Sequence, residues 1–444
     1  MILLKTARRL CCDLLIKAEN GAYSNLALDS ALKGCGLSSE DKRFVSRIFY
    51  GVIERRLTLE YVMGVYGSKP AAKLDKEVRA VLAAGIYQLL YCEGIPDRAA
   101  VNESAELIKQ YGKASAAGYV NAVMRSMIRS GKSFELPKDI AKAMSVKYSC
   151  SESIVSMLLK SYPEEKAVSL LEDSLTSRGT VFRVNTAKTD TETLRKELEN
   201  IGISASPPAL LPWLRNCLVS EGLSGNSLSG NELYKQGMFH IQGISSQLCC
   251  MALDPQENET IADVCAAPGG KSFTIAEMMN GTGTVYSGEL HEKRTGLIRS
   301  GAERLGLGNI RTYTHNAAEY DETFPKADRV LCDVPCSGLG VIGSKPEIKY
   351  KDISDLSKLY STQAAILDTS SRYVRSGGVL VYSTCTVDPA ENDDIVRDFL
   401  GKHSDFYAEP FLQEYGEPFG KSMTTIFPCD LGSDGFFICR MRRK

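Results

Sequence analysis

The stretch IADVCAAPGGKS, residues 261–272, decides the fold of the carboxyl-terminal half of this chain. Apolar residues typical of a buried strand lead into a turn with two glycines, and a helical pattern starts at Phe273. Glycines let a ligand approach the backbone, and nucleotide ligands bind where strands end and helices begin in open α/β sheets. Because the spacing matches neither G-x-G-x-x-G nor G-x-x-x-x-G-K-[ST], dinucleotides and nucleoside triphosphates are disfavoured. The stretch therefore predicts a loop for another nucleotide-like cofactor.

Further apolar strands follow this loop and alternate with helical patterns. They are GTVYSGEL (283–290), NIRTYTHN (309–316), DRVLCDVP (328–335) and GGVLVYSTCTV (377–387). Such alternation predicts a doubly wound parallel sheet. Glu289 ends the first of these strands, where an acid can accept hydrogen bonds from both hydroxyls of a ribose. Taken alone, the glycine turn is explained equally well as a plain tight turn, and Glu289 as a surface acid. Their occurrence in this order after successive strands favours a cofactor site.

Two cysteines stand apart from the other twelve because each follows a strand into a polar turn. Cys336 lies in DRVLCDVPCSGLG (328–340), three residues after Asp333, and Cys385 lies in GGVLVYSTCTVDPAEN (377–392). Both turns are expected at the same sheet edge as the cofactor loop. Most buried cysteines are small hydrophobes, and this is the interpretation for Cys265, Cys332 and Cys439.

The amino-terminal part has a different pattern of apolar and charged residues. Residues 1–135 repeat apolar positions at helical spacing with no strand-like alternation, which predicts an all-α bundle. Residues 1–133 carry 20 Lys and Arg against 13 Asp and Glu, whereas the remainder is acidic. A basic module suggests a polyanionic partner, although a solvated helical surface explains the charge equally well. Residues 136–235 mix a helical stretch (151–171) with the strand-like GTVFRVN (179–185), which predicts a small α+β subdomain.

The composition narrows the functional class further. No apolar run reaches the length of a membrane span, and the opening residues are interrupted by Lys5, Arg8 and Arg9, which argues against a secretory signal. Fourteen cysteines without such a signal predict free thiols in a reducing cytoplasm. A metal site is not expected, because only four histidines occur and the adjacent cysteine pairs lack C-x-x-C spacing.

Three motifs carry a resemblance to a known family. CAAPGGK, DVPCSGLG and YSTCTVDPAEN resemble the signature blocks of the Nol1/Nop2/Sun family of RNA (cytosine-5) methyltransferases, and DGFFICRM (434–441) resembles its closing strand. The amino-terminal segments, among them DKRFVSRIFYGVIERRLTL and AAGIYQLLYCEGIPDRAAVNESAELIK, resemble the NusB-like RNA-binding helical domain. The implied architecture is a NusB-like all-α domain (1–135), a small α+β subdomain that contacts RNA (136–235) and a Rossmann-like α/β methyltransferase domain (236–444).

The resemblance implies roles for individual residues. Cys385 would be the covalent nucleophile, Cys336 would help release the product, and Asp333 would lie beside both the methyl donor and the target base. Glu289 would hold the ribose of S-adenosylmethionine. The residues that would line this cofactor are Cys265, Ala266, Ala267, Pro268, Gly269, Gly270, Lys271, Glu289, Asn316 and Asp333. A valine at Gly269 is expected to abolish cofactor binding by occupying the ligand's approach.

Three positions depart from the family pattern. The family usually has Asp at the ribose position, where this chain has Glu289. It usually has a second Asp at the adenine end, where this chain reads Thr314-His315-Asn316, so that Asn316 lacks the charge. Many relatives have Asp where this chain has Gly243. None of these positions takes part in the thiol chemistry.

The implied reaction is methylation of carbon 5 of cytosine through a thiolate adduct at carbon 6, which splits one hard step into two easier ones. The implied substrate is 16S ribosomal RNA, naked or partly assembled, at cytosine 967 in the usual ribosomal numbering. The protein is expected to act as a monomer, without DNA or a membrane. A tRNA cytosine-5 methyltransferase and a non-catalytic NusB-like scaffold remain alternatives. A DNA cytosine-5 methyltransferase, whose nucleophile would correspond to Cys336, is disfavoured by the STCT motif and by the lack of a long recognition insert.

Overall fold

The computed structural model describes residues 6–19, 28, 30–176, 178–221, 228 and 230–444. The chain forms two compact units. One comprises residues 1–159 together with the short segment 349–351, and the other comprises residues 160–348 and 352–444. The division into three functional modules at residues 135 and 235 stays a prediction.

The first unit is helical throughout its described residues, which confirms the predicted all-α class. Its central helix, α4, is buried over most of its length because apolar residues occupy nearly every position from Val78 to Leu89. Ser38 and Asp139 cap two helices by accepting backbone N–H groups of the first turn. The helices are α1 (Ala7–Glu19), α2 (Ser39–Glu54), α3 (Arg56–Tyr66), α4 (Lys76–Tyr91), α5 (Asp97–Gln110), α6 (Ala117–Arg129), α7 (Ile140–Tyr148) and α8 (Glu152–Ser161).

The segment 349–351 completes this helical unit. Lys349 is fully buried, its Nζ donates to the Glu54 carbonyl at 3.3 Å, and its own carbonyl accepts the Ser151 N–H at 2.7 Å. The Tyr350 hydroxyl donates to the Ile53 carbonyl. Burial lowers the pKa of Lys349 to about 8. These contacts make a distant piece of the sequence part of the helical fold.

The second unit begins with a small antiparallel sheet, as the strand-like GTVFRVN indicates. Its strand order is β2-β1-β3, and Asp190 caps the helix that follows β1. The helical stretch predicted over 151–171 is two helices, because Pro163 ends the first and begins the second. The elements are α9 (Glu164–Asp173), β1 (Thr180–Val184), α10 (Thr191–Asn200), β2 (Cys217–Ser220), α11 (Glu232–Lys235) and β3 (Phe239–Ile241).

The rest of this unit is the Rossmann-like α/β domain that the motifs predict. Its remaining helices are α12 (Ile244–Leu253), α13 (Gly270–Met278), α14 (Glu292–Leu305), α15 (Ser357–Tyr373), α16 (Asp393–Lys402) and α17 (Pro428–Leu431). Its strands are β4 (Thr260–Asp263), β5 (Thr284–Glu289), β6 (Ile310–Thr314), β7 (Ala327–Asp333), β8 (Val374–Thr384), β9 (Phe406–Ala408), β10 (Met423–Ile426) and β11 (Phe436–Arg443).

These strands form one eight-stranded sheet in the order β10-β11-β8-β7-β4-β5-β6, with β9 paired to β11. Five neighbouring strands, from β8 to the edge strand β6, are parallel, as predicted, whereas β9, β10 and β11 add antiparallel strands at the other side of the sheet. The register pairs Asp333 with Ser383 across β7 and β8. Because parallel strands end together, the loops after β4, β5, β7 and β8 meet at the carboxyl-terminal end of the sheet, which is called the sheet edge below.

Within the described residues, no helix is both long enough and apolar enough to span a bilayer.

All fourteen cysteines of the sequence are free thiols. Cys332 and Cys439 are fully buried, as expected of small hydrophobes, and Cys265 is half-buried at the cofactor loop.

Candidate active site

The loop after β4 turns sharply into α13 at Gly269. This glycine has φ +113°, a left-handed conformation that favours glycine, and a Cβ there would lie 2.3 Å from the Phe273 ring. A Cβ at Gly301 of α14 would meet the same ring at 2.3 Å. Phe273 is therefore wedged between two glycines. The first obstacle to a valine at Gly269 is this ring and the backbone strain, rather than the ligand's approach.

A buried carboxylate lies beneath the loop. Asp263, the last residue of β4, is almost fully buried, and its Oδ2 accepts the Ser272 hydroxyl at 2.7 Å. The Ser287 hydroxyl in turn donates to Ser272 at 2.8 Å. The Asp263 Oδ1 has no hydrogen-bond partner in the described residues. Burial raises the pKa of Asp263 to about 7, so an additional donor would stabilise its ionised form.

Glu289 stands at the end of β5, as predicted, and is tied to the cofactor loop. Its Oε1 accepts the His291 N–H and the Arg294 Nη1, each at 3.2 Å. Arg294 also donates to the Ala267 carbonyl at 3.0 Å. The guanidinium therefore fixes Glu289 relative to the loop, a contact between residues far apart in sequence that no motif indicated.

The residues after β6 line the same edge. A Cβ at Gly288 would lie 2.4 Å from Nε2 of His315, so the missing side chain makes room for that ring. Both His315 ring nitrogens lack hydrogen-bond partners in the described residues, and burial lowers the His315 pKa. Asn316, the expected adenine contact, accepts the Ala318 N–H at 3.1 Å and donates to Glu319 at 2.8 Å. Its side chain therefore stabilises the turn after β6.

Asp333 and Lys271 form an ion pair at the centre of the edge, with the Lys271 Nζ 2.8 Å from Asp333 Oδ2. The other carboxylate oxygen accepts the Ser383 hydroxyl at 2.8 Å. Burial is the largest single effect on Lys271 and opposes its charge, but Asp333 together with Cys249 and Cys250 outweighs burial and raises the Lys271 pKa. Lys271, expected as a cofactor contact, thus pairs with Asp333.

The two thiols singled out in the sequence meet directly. The sulfurs of Cys336 and Cys385 lie 3.2 Å apart, which is a hydrogen-bond distance for a thiol and a thiolate. The hydrogen bond from Cys336 lowers the pKa of Cys385, and that hydrogen bond together with burial raises the pKa of Cys336. Lys271 and Lys345 also lower the pKa of Cys385, so the surrounding charges favour a thiolate on Cys385 over one on Cys336.

Close backbone contacts hold the thiol loops together. The Gly340 N–H donates to the Cys385 carbonyl at 2.9 Å, and the Gly435 N–H donates to the Gly340 carbonyl at 2.8 Å. A Cβ at Gly340 would lie 2.0 Å from the Gly435 oxygen. The turns after β7 and β8 and the one before β11 are therefore locked together, which explains the glycines in DVPCSGLG and DGFF.

A fully buried acid, Glu391, also joins these loops, and no role was predicted for it from the sequence. Its carboxylate accepts the Ser337 N–H and the Gln363 amide, each at 2.8 Å, together with the Ser337 hydroxyl. The sequence contained a signal, since Glu391 is an acid within the YSTCTVDPAEN block.

Gly243, the third departure from the family pattern, lies near another acid. A Cβ there would be 3.6 Å from Asp434 Oδ2. Asp434 pairs with Arg178 and accepts the Ser344 hydroxyl, both at 2.9 Å. An aspartate at 243 would place a second carboxylate against Asp434, so the glycine avoids this repulsion.

Comparisons with known proteins agree on both halves of the chain. The family described as 16S rRNA methyltransferase RsmB/F matches residues 250–442, and the NusB family matches residues 5–129. A probable ribosomal RNA small subunit methyltransferase B from Bacillus subtilis is 37% identical over 99% of this chain and 99% of its own length. The human 28S rRNA (cytosine(4447)-C(5))-methyltransferase is 31% identical over 68% of this chain and 39% of its own length.

The fold is shared with a solved structure. The crystal structure of PH0851 superimposes with a TM-score of 0.82, covering 99% of this chain and 98% of that one, at 22% sequence identity. A solved protein therefore shares the fold of this chain.

Proposed function

The chain belongs to the RsmB/F family of 16S rRNA methyltransferases, and we propose that it transfers a methyl group from S-adenosylmethionine to carbon 5 of a cytosine in 16S ribosomal RNA. The observation that carries the proposal is the pair of thiols 3.2 Å apart beside the Asp333–Lys271 ion pair. We further propose cytosine 967 as the target. The full-length match to a small subunit methyltransferase supports the 16S substrate over tRNA.

The sheet edge fits this cofactor. Within the described residues, Asp263 Oδ1 is a buried acceptor without a partner, and both ring nitrogens of His315 also lack one. Glu289 offers carboxylate oxygens where a ribose would lie. We propose that the cofactor is held by these residues with Asn316 and the loop Cys265–Lys271. S-adenosylmethionine supplies an electrophilic methyl group on a sulfonium.

Cys385 supplies the nucleophile in this proposal. Its thiolate adds to carbon 6 of the cytosine, forming a carbon–sulfur bond, and the electrons of the C5–C6 double bond form the new bond from carbon 5 to the methyl group. The bond from the methyl group to the sulfonium sulfur would break, with a neutral thioether as the leaving group. Removal of the C5 proton restores the double bond and expels the Cys385 thiolate. Asp333, positioned by its ion pair with Lys271, accepts a hydrogen bond from the amino group of the base. Cys336, in contact with Cys385, takes up the C5 proton after it has released its own proton to solvent.

The experiment that tests this assignment separates the two thiols. Full-length enzyme is incubated with labelled RNA and cofactor and run on a denaturing gel. We expect Cys336→Ala to accumulate a protein–RNA adduct, because addition needs one thiolate whereas release needs the second thiol. Cys385→Ala and the double variant should give no adduct. Cys429→Ala, a change at an exposed cysteine, is the matched control. An adduct in Cys385→Ala that disappears in Cys336→Ala would reverse the roles.

The identity of the RNA needs a separate measurement. Bisulfite sequencing of total RNA from a deletion strain should show one lost methylcytosine in 16S RNA, at position 967. Loss at a tRNA position instead would establish the alternative substrate. We also infer that the enzyme acts as a monomer in the cytoplasm on naked or partly assembled RNA, and sedimentation with and without RNA tests the stoichiometry.

The basic helical unit is proposed to contact RNA phosphates. Arg43 and Arg47 are exposed one turn apart on α2. Replacing both by Glu should weaken RNA binding and flatten its salt dependence, because fewer counterions are released, while cofactor affinity stays the same. An unchanged salt dependence would contradict a phosphate-binding role for this face.

A further inference from the structure

Glu391 is a buried acid that the proposed reaction does not use. It lies in the turn between β8 and α16, six residues after Cys385, and is fully buried. No Lys, Arg or His pairs with it in the described part of the chain. Burial of an acid without a cation is costly, so its retention needs a local reason.

The hydrogen bonds of Glu391 surround Cys336. The carboxylate accepts the Ser337 N–H at 2.8 Å, immediately after Cys336. The Gln363 amide, which donates to Glu391 at 2.8 Å, also donates to the Pro335 carbonyl at 3.0 Å, immediately before Cys336. The acid therefore fixes the backbone on both sides of one thiol.

The charges around the thiol pair are asymmetric. Asp333 acts on both thiols and raises the pKa of each. Glu391 is among the leading causes that raise the pKa of Cys336, whereas Lys271 and Lys345 are among those that lower the pKa of Cys385. Tyr382, whose hydroxyl donates to the Glu391 carbonyl at 2.7 Å, stays neutral because burial raises its pKa. These charges therefore favour placing a proton shared between the two sulfurs on Cys336, the thiol nearer to Glu391.

We propose that Glu391 is a positioning residue that holds the Cys336 turn and, through its buried charge, keeps the shared proton on Cys336, so that Cys385 is the thiolate. The inference rests on the proposed function, in which Cys385 attacks the base. In the free enzyme the pair loses one proton to solvent, and the remaining proton lies on Cys336 in the hydrogen bond to Cys385. Glu391 thereby decides which of two adjacent cysteines is the nucleophile.

Alkylation of the full-length enzyme without RNA tests the proposal, because iodoacetamide reacts with thiolates. Cys336 and Cys385 are both partly accessible, and trypsin separates them because Lys351 and Arg375 lie between them. Mass spectrometry then gives the rate for each thiol as a function of pH. In the unaltered enzyme Cys385 should react at lower pH than Cys336.

Glu391→Gln removes the charge and can keep the hydrogen bonds. Its oxygen can accept from Ser337 N–H and Gln363, and its amide can donate to the Ser337 hydroxyl, which has Thr386 as a second partner at 2.9 Å. We expect Cys336 to react about tenfold faster near neutral pH, which corresponds to a fall of about one pH unit in the midpoint of its curve of alkylation rate against pH. The midpoint of the corresponding curve for Cys385 should rise. Glu391→Asp should retain the original order, and Asp394→Asn, at an exposed acid, should change neither thiol.

Three results would overturn the inference: faster alkylation of Cys336 than Cys385 in the unaltered enzyme, unchanged profiles in folded Glu391→Gln, or the same change in Glu391→Asp as in Glu391→Gln. If Glu391→Gln does not fold, Lys345→Met provides the complementary test, because Lys345 is exposed and its loss should slow Cys385. An unchanged Cys385 rate in that variant would contradict the electrostatic argument. Because no RNA is present, these outcomes are independent of the adduct experiment on the proposed function.

Discussion

Loss of Arg183 should destabilise the second unit strongly. Arg183 on β1 donates through Nε to Glu277 Oε2 of α13 at 3.1 Å, and both side chains are almost completely buried, with 6% and 0% exposure. His240 lies on the other side of the acid, with its Nδ1 3.5 Å from Glu277 Oε1. Arg183→Met therefore leaves an ionised carboxylate in the interior without its strongest partner.

The magnitude follows from the geometry. Two unit charges at this separation interact by about 5 kcal/mol at an effective dielectric constant of about 20, and removing one partner of a buried pair costs about 3 to 5 kcal/mol. With a urea slope of about 3 kcal/mol per M, the midpoint of unfolding should fall by about 1 to 1.7 M. Replacing Glu277 by Met as well removes the stranded charge and should restore more than half of the loss.

The assay is urea unfolding followed by fluorescence of Trp213, the single tryptophan of the sequence. Its ring stacks on Tyr415 at 3.8 Å within the same unit as the ion pair, so its emission reports on that unit. Arg195→Met, which removes a partly exposed helix pair with Glu192, is the control and should leave the midpoint nearly unchanged. A shift below about 1 kcal/mol for Arg183→Met, or a double variant no more stable than the single one, would refute the reasoning.

Three further outcomes are expected. Gly269→Val should lower the melting temperature and abolish calorimetric binding of S-adenosylmethionine, because its Cβ meets Phe273 at 2.3 Å, whereas Gly270→Ala, with no neighbour nearer than 3.9 Å, should retain both. Asp263 has a pKa raised from 3.8 to about 7, so the folded state binds more protons and stability should fall as pH rises between these values. Asp263→Asn should remove that slope in pH-dependent melting, and its persistence would exclude Asp263 as the cause. Glu289→Gln should weaken cofactor binding by at least about tenfold in calorimetry, because hydrogen bonds to a charged acceptor are lost, and unchanged affinity would remove Glu289 from the site.

The parallel strands were predictable because each is an apolar run bounded by a polar turn. The runs around Asp263, Glu289, Asp333 and Cys385 are all strands of the sheet, and parallel pairing then requires their ends to meet. The contact between Cys336 and Cys385 follows from the same rule, since β7 and β8 are neighbours. The antiparallel strands β9 and β10 were not predicted, because they are short and carry no motif.

Contacts that depend on tertiary packing were beyond the sequence. Lys271 lies in the cofactor loop, and only the fold shows that its ammonium reaches Asp333 instead of extending towards a ligand. The wedge of Phe273 between two glycines requires the distance between α13 and α14, which local patterns do not contain. Glu391 was visible as an acid beside a cysteine motif, but its burial was not, because charged residues usually face solvent.

The segment 349–351 in the helical unit has a consequence for synthesis of the protein on the ribosome. The fully buried Lys349 and its neighbour Tyr350 emerge about 190 residues after Leu159, the last residue of the continuous part of that unit. At about 5 to 20 residues per second, the nascent helical unit waits roughly 10 to 40 s for its missing piece. During that interval the carbonyls of Ile53 and Glu54 lack their final partners. A gene fragment that stops before codon 349 therefore lacks part of the helical unit, and one that stops after codon 351 still interrupts the second unit. The amino-terminal unit can complete its fold only after much of the second unit has been translated.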